Sequence, residues 1–155
     1  AEGVRVVVLG SPAEVPLVQR VAAAMCAPAA ILAGELDLGT MKAVMRRARV
    51  LVCNDAGARH VAVALGVPSV VLFGPTSLAK TNLNLERVRA LAADVACRPC
   101  YHRVCPTDHR CMARLSPERV VASALAALRG DASGFRGEGA LRALPAPARA
   151  AGGAS

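Results

Sequence analysis

Two polar turns inside the apolar stretch Val50–Thr76 hold the first residue types that could do chemistry. The first turn, Asn54–Gly57, offers a carboxylate at Asp55 and a glycine, a residue that readily adopts a positive φ. The second turn, Gly74–Thr76, offers a hydroxyl. Polar groups of this kind either cap the element that follows or hydrogen-bond a ligand.

The apolar runs around these turns predict a strand–helix–strand unit. Val50–Cys53 is apolar without alternation, which is typical of a strand buried on both faces of a parallel sheet, and Ser69–Phe73 is a second such run. Arg59–Leu65 predicts the connecting helix, which ends at Gly66 before Pro68. Because a right-handed crossover joins parallel neighbours, both carboxyl ends lie at one edge of the sheet, where open α/β sheets bind their ligands.

A similar strand and turn open the chain. Arg5–Leu9 predicts a strand that ends at Gly10 and Ser11, and a helix with Glu14 near its start continues to about Cys26. One glycine followed by serine is a weak signal for phosphate binding, and on this evidence alone an ordinary strand-to-helix turn is the preferred explanation.

The remaining elements complete an alternation of strands and helices. The pattern predicts a strand at Ala29–Leu32, a helix capped by Thr40, a strand within Arg87–Val95 and a final helix from Ser116 to Gly130. We therefore expect an α/β fold, a Rossmann-like parallel sheet with helices on both faces, in one domain at residues 1–129. Residues 130–155 are rich in Gly, Ala, Pro and Arg without a periodic pattern, and we expect a disordered tail there.

A cysteine-rich segment at residues 97–112 is a second candidate site. Its candidate metal ligands are Cys97, Cys100, Cys105 and Cys111, with His102 and His109 as substitutes. The first pair has the C-x2-C spacing of a metal knuckle and the second pair is C-x5-C, so four thiolates would suit structural zinc or iron. Free thiols are the next alternative, and disulfides the last, because a cytoplasmic location disfavours them.

Composition limits the partners. The 155-residue chain has a formal charge of +8, which suits nucleic acid, an anionic membrane surface or a phosphorylated ligand. No cationic run exceeds Arg46-Arg47, and the chain has two Phe, one Tyr and no Trp on which bases could stack, so we expect no nucleic-acid partner. Since no segment approaches the about 20 apolar residues of a membrane span, we expect a cytoplasmic protein. The first residue is not Met, and we expect a longer protein around this chain.

Four motifs stand at the two turns and after them. They are Asn54-Asp55-x-Gly57-x-x-His60-Val61-Ala62-x-Ala64-Leu65-Gly66-x-Pro68, Leu72-Phe73-Gly74-Pro75-Thr76, Pro106-x-Asp108-His109-x-Cys111-Met112 and Ser116-Pro117-x-x-Val120. Together they resemble a family, glycosyltransferase family 9, the ADP-heptose:lipopolysaccharide heptosyltransferases. The resemblance covers residues 4–128, and the last two motifs are similar to the heptosyltransferase II branch.

The resemblance implies the C-terminal, nucleotide-sugar-binding half of a GT-B enzyme. Such an enzyme transfers heptose from ADP-heptose to the lipopolysaccharide inner core with inversion, without a divalent metal. The acceptor and the catalytic base belong to an N-terminal domain that this chain lacks, so we expect no catalytic residue here, and no transfer by these residues alone. The location implied is cytoplasmic, with a peripheral contact at the inner face of the bacterial inner membrane. A non-catalytic nucleotide-sugar-binding module and a cysteine–metal interaction domain are the alternatives.

The resemblance also assigns donor-binding roles. Asp55 accepts hydrogen bonds from heptose hydroxyls, the N–H groups near Gly57 and the ring of His60 meet the diphosphate, and Glu14 meets the ribose. The full set of expected binding residues is Gly10, Ser11, Glu14, Asp55, Ala56, Gly57, His60, Gly74 and Thr76. Ala56 stands where the family usually has Ser or Thr, which removes one hydroxyl from the phosphate turn.

Overall fold

The computed structural model describes residues 3–80 and 85–135, in two compact units. The N-terminal unit ends at Arg47 and the C-terminal unit begins at Ala48. Within the described residues no helix has the length and hydropathy needed to cross a membrane.

The N-terminal unit contains a two-stranded parallel sheet. Its elements are β1 (Val6–Val8), α1 (Val15–Ala23), β2 (Ala29–Ile31) and α2 (Leu38–Arg46), with a 3-10 turn at Pro12–Glu14 before α1. Gly10 follows β1 where a side chain has no room, because an added Cβ would lie 3.1 Å from Val18 Cγ2 and 3.3 Å from Ala33 Cβ. Glycine therefore lets α1 pack closely on the end of the strand.

Helix α2 begins earlier than the sequence predicted. Asp37 is the N-cap, and its Oδ1 accepts a 2.7 Å hydrogen bond from the N–H of Thr40. The predicted cap, Thr40, is therefore wrong, and Thr40 is the donor in the first turn. A carboxylate at this position satisfies a free N–H and also meets the positive end of the helix dipole, which favours Asp37.

The C-terminal unit contains a three-stranded parallel sheet in the order β3-β4-β5. Its elements are β3 (Leu51–Asn54), α3 (Gly57–Ala64), β4 (Ser69–Phe73), β5 (Val88–Ala92), α4 (Arg110–Ala113) and α5 (Pro117–Leu128), with a 3-10 turn at Leu78–Lys80. The predicted α/β class and parallel pairing are confirmed.

Central strand β4 explains the apolar core of this unit. Alternate residues of a strand point to opposite faces, so Val70 and Val71, both fully buried, lie on different sides. Val70 packs in a cluster with Leu115 and residues of α5, whereas Val71 packs in a second cluster with Phe73 and a residue of α3. Helices thus cover both faces, as predicted, and the unbroken apolar run of β4 follows from this double burial.

Strand β3 departs from the prediction of burial on both faces. Val52 is 45% exposed, and the burial of the strand alternates along its length. The reason is position, since β3 is an edge strand in the sheet order of this unit.

The start of the predicted tail is ordered around Arg89. The guanidinium lies 3.1 Å from Asp131 Oδ2, also donates to the Asp131 carbonyl, and stacks 5.0 Å from the centroid of Phe135. The predicted disordered segment begins at residue 130, so two of its first residues contact Arg89 of β5, and its disorder stays a prediction. Residues 136–155 lie outside the described residues, and the predicted domain boundary stays a prediction.

Candidate functional site

A pocket of about 240 Å³ lies at the carboxyl ends of β3 and β4. Asn54 at the end of β3 pairs with Leu72 of β4, so the two polar turns that follow these strands are neighbours. The pocket is lined by Asn54, Asp55, Leu72, Gly74, Pro75, Thr76 and Met112. The structure therefore brings together three of the predicted binding residues, Asp55, Gly74 and Thr76.

Asp55 is held by the main chain of β4 and by an arginine. Its N–H donates to the carbonyl of Leu72 at 3.2 Å, and its Oδ1 lies 3.2 Å from Nε of Arg59. The side chain of Asp55 is 7% exposed and that of Arg59 is 0% exposed. A buried carboxylate needs such a partner, because removing a charge from water is costly.

Sequence reasoning missed Arg59, which it placed only as the first residue of the predicted helix. Arginine is seldom fully buried, so nothing in its type indicates this position. The available signal was its spacing, since Asp55 is an acidic partner four residues earlier, in the turn that leads into the helix.

The N-terminus of α3 is open towards solvent. The helix begins at Gly57, two residues before the predicted start, and its N-cap Ala56 offers no side-chain hydrogen bond. Gly57 is not among the positive-φ residues of the described chain, so the turn does not use the positive φ that glycine allows. A Cβ at Gly57 would meet nothing within 4 Å, which leaves space for an anion at the free N–H groups of the first turn.

His60 lies exposed on the first turn of α3 and is connected to Asp55 through Arg59. Nη2 of Arg59 lies 3.1 Å from Nε2 of His60. A guanidinium can only donate, so Nε2 is assigned as the acceptor of this contact, which assigns the ring N–H to Nδ1. The chain of contacts from Asp55 to His60 therefore leaves a ring N–H as the remaining donor. His60 and Gly57 are not among the residues that line the pocket.

The second turn combines a tight packing contact with a hydroxyl that has no partner. A Cβ at Gly74 would lie 2.8 Å from Sδ of Met112, so glycine allows this side chain of α4 to form a wall of the pocket. Oγ1 of Thr76 is buried and has no hydrogen-bond partner within residues 3–80 and 85–135. Leaving a buried hydroxyl unpaired costs about 1–3 kcal/mol, so Thr76 is a candidate for a partner that the described residues do not supply.

The predicted binding residues of the N-terminal unit form a local motif. Both the N–H and the hydroxyl of Ser11 donate to Oε2 of Glu14, each at 2.7 Å. The hydroxyl contact in particular holds the pKa of Glu14 below its usual value. Glu14 is thus an ionised acceptor at the start of α1, while Gly10 has the packing role described above.

A sequence profile decides the family. Glycosyltransferase family 9 (heptosyltransferase) matches residues 1–110. The chain belongs to this family. The family-9 chain is 36% identical over 126 residues to Lipopolysaccharide heptosyltransferase 1 of Pseudomonas aeruginosa, a match that covers 72% of the chain and 35% of that protein. It is 35% identical over 77 residues to Lipooligosaccharide heptosyltransferase 2 of Campylobacter jejuni, which covers 48% of the chain and 24% of the relative.

A solved structure agrees with the sequence matches. The family-9 chain superposes on the ADP-heptose lps heptosyltransferase II of E. coli with a TM-score of 0.71 and 27% identity, over 84% of the chain and 38% of that enzyme. The predicted family and the GT-B type of fold are confirmed. The chain covers 24% to 38% of the length of these relatives.

The cysteine-rich segment of the family-9 chain does not form a ligand cluster. Within the described residues, no three His, Cys, Asp or Glu side chains are grouped to hold a metal ion, and the six thiols are free. The predicted ligands Cys97, Cys100, Cys105 and Cys111, and the substitutes His102 and His109, are therefore not brought together. A bound zinc or iron stays a prediction, and it would require these residues to rearrange.

Two thiols of the family-9 chain differ in acidity. The hydroxyl of Thr107, 3.5 Å from Sγ of Cys105, lowers the pKa of that thiol. Burial raises the pKa of Cys53 to about 11. Cys53 is therefore a packing residue of β3, whereas Cys105 is the more nucleophilic of the two.

Proposed function

We propose that this chain binds the nucleotide-sugar donor of a glycosyltransferase that moves heptose from ADP-heptose to the lipopolysaccharide inner core with inversion. The observation that carries the proposal is the pocket at the ends of β3 and β4, where a buried carboxylate and a hydroxyl without a described partner lie next to an uncapped helix N-terminus. Membership of family 9 and the heptosyltransferase names of the relatives support the same donor class.

The diphosphate binds at the N-terminus of α3. Free N–H groups and the helix dipole attract a negative group there, and no side chain at Gly57 blocks its approach. The Nδ1–H of His60 donates to a phosphate oxygen. These groups stabilise the diphosphate as it departs, so the transfer needs no divalent metal.

The heptose occupies the pocket. The volume of the pocket, about 240 Å³, lies below the roughly 300–1,000 Å³ of sites that bury a drug-sized ligand. A pocket of this size suits a single sugar or a phosphate group. Asp55 accepts hydrogen bonds from heptose hydroxyls while Arg59 neutralises its charge. The hydroxyl of Thr76 gains its missing partner from the sugar or from the neighbouring phosphate.

Other parts of the proposal concern groups outside this pocket. Glu14 accepts hydrogen bonds from the ribose hydroxyls, which its ionised carboxylate allows. The acceptor sugar and the catalytic base belong to a further domain, so the residues of this chain bind the donor without starting the reaction. The enzyme works in the cytoplasm with a peripheral contact at the inner membrane.

Calorimetry with ADP-heptose and UDP-glucose tests the donor assignment. We expect measurable binding of ADP-heptose and at least about tenfold weaker binding of UDP-glucose, a difference of about 1.4 kcal/mol. Equal affinities for the two nucleotide sugars would overturn the assignment.

A matched pair of threonine variants tests the site. Thr76→Val removes the buried hydroxyl at constant shape, so it should weaken ADP-heptose binding while the melting temperature stays equal or rises. Thr40→Val makes the same change on the exposed surface of α2 and should leave the affinity unchanged. Unaltered binding by Thr76→Val would exclude this pocket as the donor site.

A further inference from the structure

The cysteine-rich segment holds the second polar turn through hydrogen bonds to three consecutive carbonyls. Nε of Arg98 donates to the carbonyl of Gly74 at 2.6 Å, and Nη2 of Arg98 donates to the carbonyl of Thr76 at 3.2 Å. The carbonyl of Pro75 between them accepts from the N–H groups of Cys100 and Tyr101, each at 3.0 Å. The segment 98–101 thus contacts the main chain of the whole turn.

Arg98 also connects this turn to the next strand of the sheet. Its Nη1 donates to the carbonyl of Ala93, directly after β5, at 3.1 Å. One partly buried guanidinium therefore bonds three carbonyls at the exits of two neighbouring strands. Only a planar group with several fixed donors can satisfy such a set, and hydrogen bonds from a charged donor are stronger than neutral ones.

These contacts determine which side of the turn faces a ligand. In a planar trans peptide the C=O and the following N–H point in opposite directions. Because the carbonyls of Pro75 and Thr76 point to segment 98–101, the N–H groups of Thr76 and Ser77 point away from it. The carbonyl oxygens, which would repel an anion, are engaged by Arg98 and its neighbours, and the guanidinium adds a positive charge behind the turn.

A second contact extends the support beyond the turn. Nζ of Lys80 lies 4.3 Å from the centroid of the Tyr101 ring, so the 3-10 turn that follows Thr76 also packs on the cysteine-rich segment. A cation that lies over the face of an aromatic ring is attracted to the ring. The segment therefore contacts the chain both within the second turn and immediately after it.

We propose that Arg98 is a positioning residue for the donor site: it holds the turn Gly74–Thr76 in the conformation that presents the Thr76 hydroxyl and N–H to the phosphorylated sugar. The inference rests on the proposed function and gives the cysteine-rich segment a role that is independent of a bound metal. Arg98 does not touch the donor. It acts through the carbonyls of the turn, and its loss lets those carbonyls rotate towards the anion.

Arginine variants of the 155-residue chain test the proposal by calorimetry with ADP-heptose and by thermal unfolding without ligand. We expect Arg98→Ala to weaken binding by roughly tenfold or more, because a charged donor of this kind contributes strongly to holding an acceptor in place. Arg98→Lys keeps the charge but not the fork of donors, and it should recover only a minor part of the affinity. The matched control Arg87→Ala removes another partly buried arginine that bonds one carbonyl, that of Gly66 at 2.7 Å, and should change affinity less than about twofold.

A double-mutant cycle separates positioning from a general loss of stability. If Arg98 acts through the turn, adding Thr76→Val to Arg98→Lys should cost much less affinity than Thr76→Val costs alone, because the hydroxyl is already misplaced. Strictly additive losses, or Arg98 variants that bind as tightly as the wild type, would overturn the inference. Should Arg98→Ala fail to fold, the same reasoning applies to Arg98→Lys alone. A wild-type chain that binds neither ADP-heptose nor ADP would instead overturn the proposed function.

Discussion

Replacing Gly57 by alanine should change stability and donor binding in opposite directions. Gly57 is the first residue of α3, and an added Cβ would meet nothing within 4 Å, so the folded protein tolerates the methyl group. Alanine loses less conformational entropy on folding, and the gain is up to about 1 kcal/mol. For a chain of this size we expect a rise in melting temperature of up to about 4 °C.

The same methyl group occupies the space through which an anion reaches the first-turn N–H groups of α3. A hydrogen bond between an N–H group and a charged ligand contributes about 1.5–3 kcal/mol, and one such bond is the minimum expected loss. We therefore expect Gly57→Ala to weaken ADP binding by roughly ten- to a hundredfold. ADP suffices as the probe, because the proposal places the diphosphate at this position.

Calorimetry with ADP, together with thermal unfolding, measures both effects on one sample. Gly39→Ala is the matched control, since Gly39 lies in the first turn of α2 and an added Cβ there would be in ordinary contact, 3.4 Å from Asp37 Oδ1. That variant should bind ADP as the wild type does. An ADP affinity of Gly57→Ala within about twofold of wild type would refute the assignment of the diphosphate to α3.

Three further predictions concern the residues around this site. Ala56→Ser supplies the missing N-cap hydroxyl and should raise the free energy of unfolding in urea by about 1 kcal/mol; no gain would mean that the N–H groups of α3 are already satisfied. Arg59→Ala leaves the carboxylate of Asp55 buried without its partner and should lower the free energy of unfolding by about 3 kcal/mol or more, whereas a loss below about 1 kcal/mol would show that the pair is solvated. At pH 8, iodoacetamide should modify Cys105, whose pKa is lowered, before it modifies Cys53. The pKa of Cys53 is about 11, so only about one Cys53 thiol in a thousand is a thiolate at that pH. Equal modification rates of the two cysteines in mass spectrometry would contradict this order.

The part of the site that the sequence predicts is the part set by local patterns. The strands β3 and β4 and the helix between them follow from apolar runs, from the polar residues at their ends and from Gly66, whose φ of 74° ends α3 as expected. Because parallel strands place their carboxyl ends together, the sequence alone predicts that Asp55 and Thr76 lie in one pocket.

Long-range contacts explain what was missed. Arg98 is separated from Gly74 by 24 residues, and no local pattern indicates that its guanidinium meets three carbonyls. From the sequence, Arg98 is only one residue of the cysteine-rich segment 97–112, with no predicted contact to the second turn. Met112 entered only as a motif residue, although its sulfur forms a wall of the pocket against Gly74.

Other differences arise where one residue type serves two purposes. Glycine in a turn allows a positive φ, whereas the structure uses the missing side chain of Gly57 to leave space. Closely spaced cysteines suit a metal centre, which stays a prediction, and the described part of the chain also uses the backbone of Cys100 to hold Pro75. In both cases the residue type and its spacing do not distinguish a role of the side chain from a role of the main chain.

The most direct test of the central claim is an amide chemical-shift titration of the ¹⁵N-labelled chain with ADP and then with ADP-heptose. If the carboxyl ends of β3 and β4 bind the donor, ADP should shift the amide resonances of Gly57 and Ala58. ADP-heptose should in addition shift the amide resonances of Asp55 and Thr76. Shifts confined to residues outside the two polar turns, or no shift with either ligand, would contradict the account.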